Sequence, residues 1–249
     1  MQCPDQITYT IRQGDNLYQL SRRYKTTVQA LLALNPNVDP YNLILGSAVL
    51  ICPGEGFLAQ PNPNPPACPN PAMQFSLLGG MRKAWEQHVY WTRMFLISAA
   101  ARLPDLDATT ARLMQNPRDI ANIFAAYYSA DTVKRIEQLL TEHLQIGGAL
   151  IAALRDGQTA QADALTRRWY SNADEMADAF DAMSPFYQRE EVRKMLYTHL
   201  DLTTKEVTER LAGNFAADIM AFDRVEQEAL RMADYFSSGI LRQFPQKFH

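Results

Sequence analysis

Three histidines have the strongest claim to chemistry in this chain. His88, His143 and His199 stand 55 and 56 residues apart, and the only other histidine is His249. Each falls on the apolar stripe of a helical stretch: His88 with Trp91, Phe95 and Ala99, His143 with Ile136, Leu139, Leu140, Ile146 and Leu150, and His199 with Val192, Met195, Leu196 and Leu202. Inward-pointing imidazoles on neighbouring helices can converge on a divalent metal. Asp178, Asp234, Glu86 and Glu142 are candidate oxygen ligands, and such a set would suit zinc, iron or manganese. Three core histidines, each donating to a backbone carbonyl or a nearby acid, meet the same pattern. The spacing matches neither HExxH nor the ExxH pairs of di-iron bundles. The expectation is therefore a chain that requires no cofactor, with a divalent metal in the helical part as the alternative.

The elements that must position these histidines are helices. Beyond Phe75 no strand alternation occurs, and six helices are predicted at 76–103, 105–127 with a break at Asn116-Pro117, 131–154, 158–182, 186–211 and 214–241. Pro104, Gly157, Ser184-Pro185 and Gly213 mark turns. The helices pair into three hairpins that form an internal repeat of about 56 residues. TEHLQIGGALIAALRDG aligns without a gap on YTHLDLTTKEVTERLAG, and the register carries on to NADEMADAF and ALRMADYF. With NPRDIANIF these segments end at Phe124, Phe180 and Phe236, spaced by 56 and 56 residues. One layered bundle and a short solenoid of hairpins both fit such a repeat. Trp85, Tyr90, Trp91 and Phe95 have helical spacing and are expected in the core, and no GxSxG, P-loop or GxGxxG occurs.

The N-terminal stretch has another period. Ile7, Tyr9 and Ile11 alternate with Thr8 and Thr10, as in a half-buried strand. Gly14 ends that strand, Asp15 can cap a helix carrying Leu17, Leu20 and Tyr24, and Thr26 or Thr27 can cap a second carrying Val28, Leu31, Leu32 and Leu34. Asn35-Pro36 stops the second helix, and Ala48-Val49-Leu50-Ile51 supplies a closing strand.

The run YTIRQGDNLYQLSRRYKTTVQALLALNP, with NLILGSAVLI after it, resembles a LysM domain, the βααβ module that binds N-acetylglucosamine-containing glycans such as peptidoglycan and chitin. Asn16 stands where that family more often has Thr, and it keeps a capping side chain. The resemblance implies a shallow glycan groove between Gly14, Asp15, Asn16, Leu17 and Tyr18 on one side and Asn35, Pro36, Asn37 and Val38 on the other. Taken singly, Asp15 and Asn16 are equally helix caps, and Asn35-Pro36 a helix stop. In the LysM fold the two strands lie side by side, which brings Cys3 and Cys52 at their outer ends within reach of a disulfide; two incidental thiols are the alternative. Cys68 is then left over, free or paired between chains.

The predicted organisation is multidomain α+β: a LysM module at 1–53, a Pro-rich linker at 54–74 and an all-α bundle of about six helices at 75–249. The linker stretch from Pro53 to Pro71 carries seven of the 14 prolines, which excludes a helix or a central strand there and favours polyproline character. A net charge of -3 with no basic patch argues against a nucleic-acid partner. The longest apolar run, MFLISAAARL, is about half of what a bilayer requires. MQCPDQITYT has neither a charged n-region nor an apolar h-region, so no Sec-type signal peptide is expected in this chain. It would act in mature form, or reach its site by assembly from inside a mother cell, as in a spore envelope. WEQHVYWTRMFLIS and MLYTHLDLTTKE look like the uncharacterised helical domains attached to LysM modules in endospore-forming bacteria. Two functions follow: a non-enzymatic cell-wall or spore-coat protein, anchored by glycan binding, whose helical domain associates with itself or a protein partner; or a wall-anchored enzyme or metal-binding domain built on the histidines.

Overall fold

A computed structural model describes residues 3, 5–40, 43–54 and 70–248. The chain divides into two compact units, Met1–Cys68 and Pro69–His249. Residues 55–69, which hold most of the Pro-rich stretch together with Cys68, lie outside the described residues.

In the first unit, strand β1 (Ile7–Thr10) and strand β2 (Ala48–Ile51) enclose helices α1 (Leu17–Arg23) and α2 (Val28–Leu34). The strands pair antiparallel, Ile7 opposite Ile51 and Thr10 opposite Ala48. Tyr9, Ile11, Leu17, Leu20, Leu31, Val49 and Ile51 form the core, while Ile7 stays largely outside it. Asn16, not Asp15, caps α1 by accepting from the Gln19 N–H at 2.9 Å. Thr27 caps α2 through the Ala30 N–H at 3.0 Å. Cys3 and Cys52 are joined in a disulfide with Cα atoms 6.1 Å apart and 49 residues between them in sequence. Closing a loop of that length contributes about 4 kcal/mol on the chain-entropy estimate, a large share for so small a core.

The second unit is helical: α3 (Pro71–Ala101), α4 (Leu106–Leu113), α5 (Asn116–Phe124), α6 (Ala130–Arg155), α7 (Thr159–Met183), α8 (Arg189–Leu211) and α9 (Phe215–Gln243), closed by a 3-10 turn at Pro245–Phe248. Two expected boundaries move. Helix α3 begins at Pro71, inside the stretch assigned to the linker, because Asn70 caps it and proline is tolerated in a first turn. The segment at 105–127 is broken where expected, α4 ending at Leu113 and α5 starting at Asn116, since Pro117 cannot bond back to the turn before it. Helix α8 starts at Arg189, because Tyr187 is pulled into the core, where its hydroxyl donates to the Phe236 carbonyl at 2.7 Å. A Cβ at position 239 would stand 1.9 Å from that tyrosine's Cε1, a clash that accounts for Gly239 in the middle of α9.

Six helices close a ring, α3 to α5, α6, α7, α8, α9 and back to α3, with α3, α6 and α8 also meeting one another inside it. This is a closed bundle and not a solenoid. The three inner helices contribute matched residues one turn apart. Met81, Ile136 and Val192 are followed by Trp85, Leu140 and Leu196, then by the three histidines. Beyond the histidines come Thr92, Gly147 and Thr203, and then Leu96, Ile151 and Val207, which form a separate apolar cluster at that end. Phe124, Phe180 and Phe236 from the outer helices also converge, with ring centroids 5.8, 6.1 and 4.3 Å apart.

Candidate functional site

The helical repeat of 3.6 residues puts His88, His143 and His199 on the buried stripes of α3, α6 and α8, and the packing of those helices brings the rings together. Ring centroids are 6.1, 5.6 and 6.0 Å apart, nearly an equilateral triangle. One ring nitrogen from each lies within 4.8 Å of the others, and all three side chains are buried. Imidazole–metal bonds are about 2.1 Å, so small tilts of the rings suffice to share an ion.

The outer helices fix which nitrogens face inward. Asn116 Nδ2 donates to the Ala84 carbonyl at 2.9 Å, which turns its Oδ1 toward His88 Nδ1, also at 2.9 Å. His88 Nδ1 must therefore carry the proton and donate, leaving Nε2 as the lone-pair nitrogen. Asn172 repeats the arrangement, with Nδ2 donating to Leu139 O at 3.1 Å and Oδ1 at 3.3 Å from His143 Nδ1. Trp169 holds the other side of His143, its Nε1 donating to the His143 carbonyl at 3.1 Å. The third histidine differs: His199 Nδ1 is buried without a partner among the described residues. Glu228 follows His199 at the interval by which Asn172 follows His143, and its Oε1 is likewise buried and unpaired.

Burial keeps all three imidazoles uncharged. It lowers His88, and it lowers His143 to about 3 with help from His88. His199 falls well below the usual histidine range for the same reason, with both other histidines adding to the effect. Neutral imidazole is the form that ligates.

The aspartates proposed as oxygen ligands are not part of this group. Asp178 is 61% exposed and pairs with Arg189 at 2.5 Å, and Asp234 is 44% exposed and pairs with Arg82 at 2.6 Å. Each lies two residues before Phe180 or Phe236, and two residues turn a helix by about 200°, so a buried phenylalanine sends the aspartate outward. Glu142 likewise binds Arg168. The residues that do support the histidines, Asn116 and Asn172, begin the segments NPRDIANIF and NADEMADAF, eight positions before the repeated phenylalanine. That spacing was the signal for them. A second buried polar group ties α3, α8 and α9 together through Arg93, Glu206, Asp218 and Arg210. Burial, opposed by Arg93, pushes the Glu206 carboxyl up to about 7.

In the first unit, several groove residues are committed to structure. Asp15 Oδ2 accepts from Tyr9 OH and from Arg12 N, both at 2.8 Å, and the Arg12 amide followed by the Tyr9 hydroxyl holds its carboxyl below the usual range. Asn35 donates from Nδ2 to Leu31 O at 2.7 Å and Leu50 O at 2.8 Å, and accepts from Leu50 N at 2.8 Å. It therefore pins β2 to the end of α2. Leu17 is in the core and Val38 packs against it, whereas Gly14, Asn16, Tyr18, Pro36 and Asn37 are exposed. Ile44 and Leu45, in the loop before β2, are 70% and 66% exposed, and Tyr18 is 67% exposed.

Residues 9–51 match the LysM domain family. The LysM domain is thus a glycan-binding module of the peptidoglycan or chitin class, and the strand pairing, the two caps and the Asn35 clasp are how this sequence builds it. No curated protein and no solved structure shows significant similarity to the chain. No helix among the described residues is long and apolar enough to cross a membrane.

Proposed function

We propose that this is a cell-wall or spore-envelope protein in which the LysM domain holds the chain on an N-acetylglucosamine-containing glycan and the helical unit binds a divalent metal through His88, His143 and His199. The convergence of three buried, neutral imidazoles carries the metal reading. Burying three histidines that find no charged partner costs stability, and a metal ion offsets that cost. With Asp178 and Asp234 on the surface the ligand set is all imidazole, which favours zinc or another late divalent metal over manganese. A bound ion would supply Lewis acidity, while the chain's own part is to hold three neutral imidazoles together, with Asn116 and Asn172 leaving Nε2 of His88 and His143 free to ligate. The matched positions of the histidines and phenylalanines on successive hairpins support reading the helical unit as a threefold internal repeat.

Elemental analysis of the untagged full chain after equilibration with zinc tests this. The expected result is about one zinc per chain, lost in His143→Ala. Zinc at background level in the wild-type chain would overturn the metal reading. Failure of the full chain to sediment with insoluble peptidoglycan or chitin would overturn the anchoring. A second reading, that the helical unit also docks a protein partner or a second copy, draws on the exposed Phe215, Ile219 and Met220 near the start of α9.

A further inference from the structure

The histidine triangle is one wall of a cavity of about 350 Å³. One turn above the histidines the three inner helices present Thr92, Gly147 and Thr203 to the cavity, none with a side chain larger than threonine's. Gly147 also lets the Trp169 ring lie against α6, since a Cβ there would stand 3.2 Å from it. Farther from the histidines the walls are Phe95, Leu113 and Ile151. No Asp, Glu, Lys or Arg is among the residues lining it.

Two consequences follow if the metal reading holds, on which this inference rests. A structural zinc site is closed by four protein ligands, whereas three histidines leave the coordination sphere open toward the cavity. Three neutral imidazoles also leave a doubly positive ion without a compensating charge beside a largely apolar cavity, which favours an anion in the open position. Thr203 lies one turn along α8 from His199: it lines the cavity, is 3% exposed, and its Oγ1 is buried with no hydrogen-bond partner among the described residues. A hydroxyl so placed can donate to the second oxygen of a carboxylate whose first oxygen meets the metal. The volume is at the lower end of small-molecule sites, about 300–1,000 Å³.

We propose that the cavity is a binding site for a small carboxylate with an apolar body, its head on the metal and Thr203 and its body against Phe95, Leu113 and Ile151. The test uses the full chain loaded with Co²⁺, whose visible bands report the coordination sphere, titrated with acetate and with hexanoate. Both carboxylates should shift the bands, hexanoate at roughly tenfold lower concentration because only it has a body to bury. Thr203→Val should weaken both. Thr110→Trp, which fills the cavity from α4, should take up the same amount of cobalt yet lose the preference for hexanoate. Bound cobalt whose bands ignore both acids, or respond to them equally, would overturn the inference and leave the metal site standing. Absence of cobalt uptake would overturn both.

Discussion

Asn116 holds His88 from behind, with its Oδ1 2.9 Å from the ring Nδ1 and its Nδ2 fixed to the Ala84 carbonyl. Outer partners of this kind set the ring's tautomer and orientation, and their loss costs about 10- to 100-fold in metal affinity. On the metal reading proposed above, Asn116→Leu should weaken zinc binding by that factor, measured by competition with a chromogenic chelator, while circular dichroism still reports a folded bundle. Unaltered affinity would show that packing alone orients His88.

The three buried histidines make the metal-free chain acid-sensitive in a definite window. An unfolded chain takes a proton on each as the pH falls through about 6.5, whereas the folded chain resists, down to about 3 at His143. Protons therefore favour the unfolded state between those limits. Stability should fall as the pH drops below about 6.5, by up to about 1.4 kcal/mol per pH unit for each histidine. Urea midpoints of the metal-free chain, compared with those of His143→Gln, isolate the effect. The variant's midpoint should vary less steeply over this range, and equal slopes would contradict a buried neutral His143.

Glu228 stands in sequence where Asn116 and Asn172 stand in the other two hairpins, and its Oε1 and the His199 Nδ1 are both buried without a partner among the described residues. Burial raises the pKa of its carboxyl, with Arg231 opposing. Glu228→Asn would put a neutral acceptor where the other two hairpins have one. The expected gain in stability of the metal-free chain is about 1 kcal/mol, read from urea unfolding. A loss of stability would mean that the carboxylate is the better partner for His199.

The histidines were legible because 3.6-residue periodicity put each on an apolar stripe, and their nearly equal intervals, 55 and 56 residues, agreed with matched places on α3, α6 and α8. Asp178 and Asp234 misled because they were chosen for their chemistry. Their position two residues before a buried phenylalanine already turned them away. Asn116 and Asn172 were visible in the same aligned segments, but an asparagine at or inside a helix reads as a cap or a solvated residue until a buried neighbour is known. Closure of six helices into a ring depends on contacts between residues far apart in sequence, which local pattern does not carry. In the LysM domain the disulfide partners followed from the family's paired strands. The use of Asn35 as a clasp between α2 and Leu50 did not, because a helix-stopping Asn-Pro explains itself locally.

That clasp separates folding from recognition in the LysM domain. Asn35→Ala removes two donated bonds and one accepted from Leu50, leaving backbone groups of β2 unpaired, and should cost about 2–3 kcal/mol. Its binding to glycan should fall only as the domain unfolds. Tyr18, Ile44 and Leu45 are large, apolar and exposed, and sugar rings stack on such surfaces. Tyr18→Ser combined with Ile44→Ser removes contact area without touching the core, so the LysM melting transition should stay in place while sedimentation with insoluble peptidoglycan drops. Full retention on the glycan with a normal melting transition would place the recognition surface on the polar residues Asn16 and Asn37 instead.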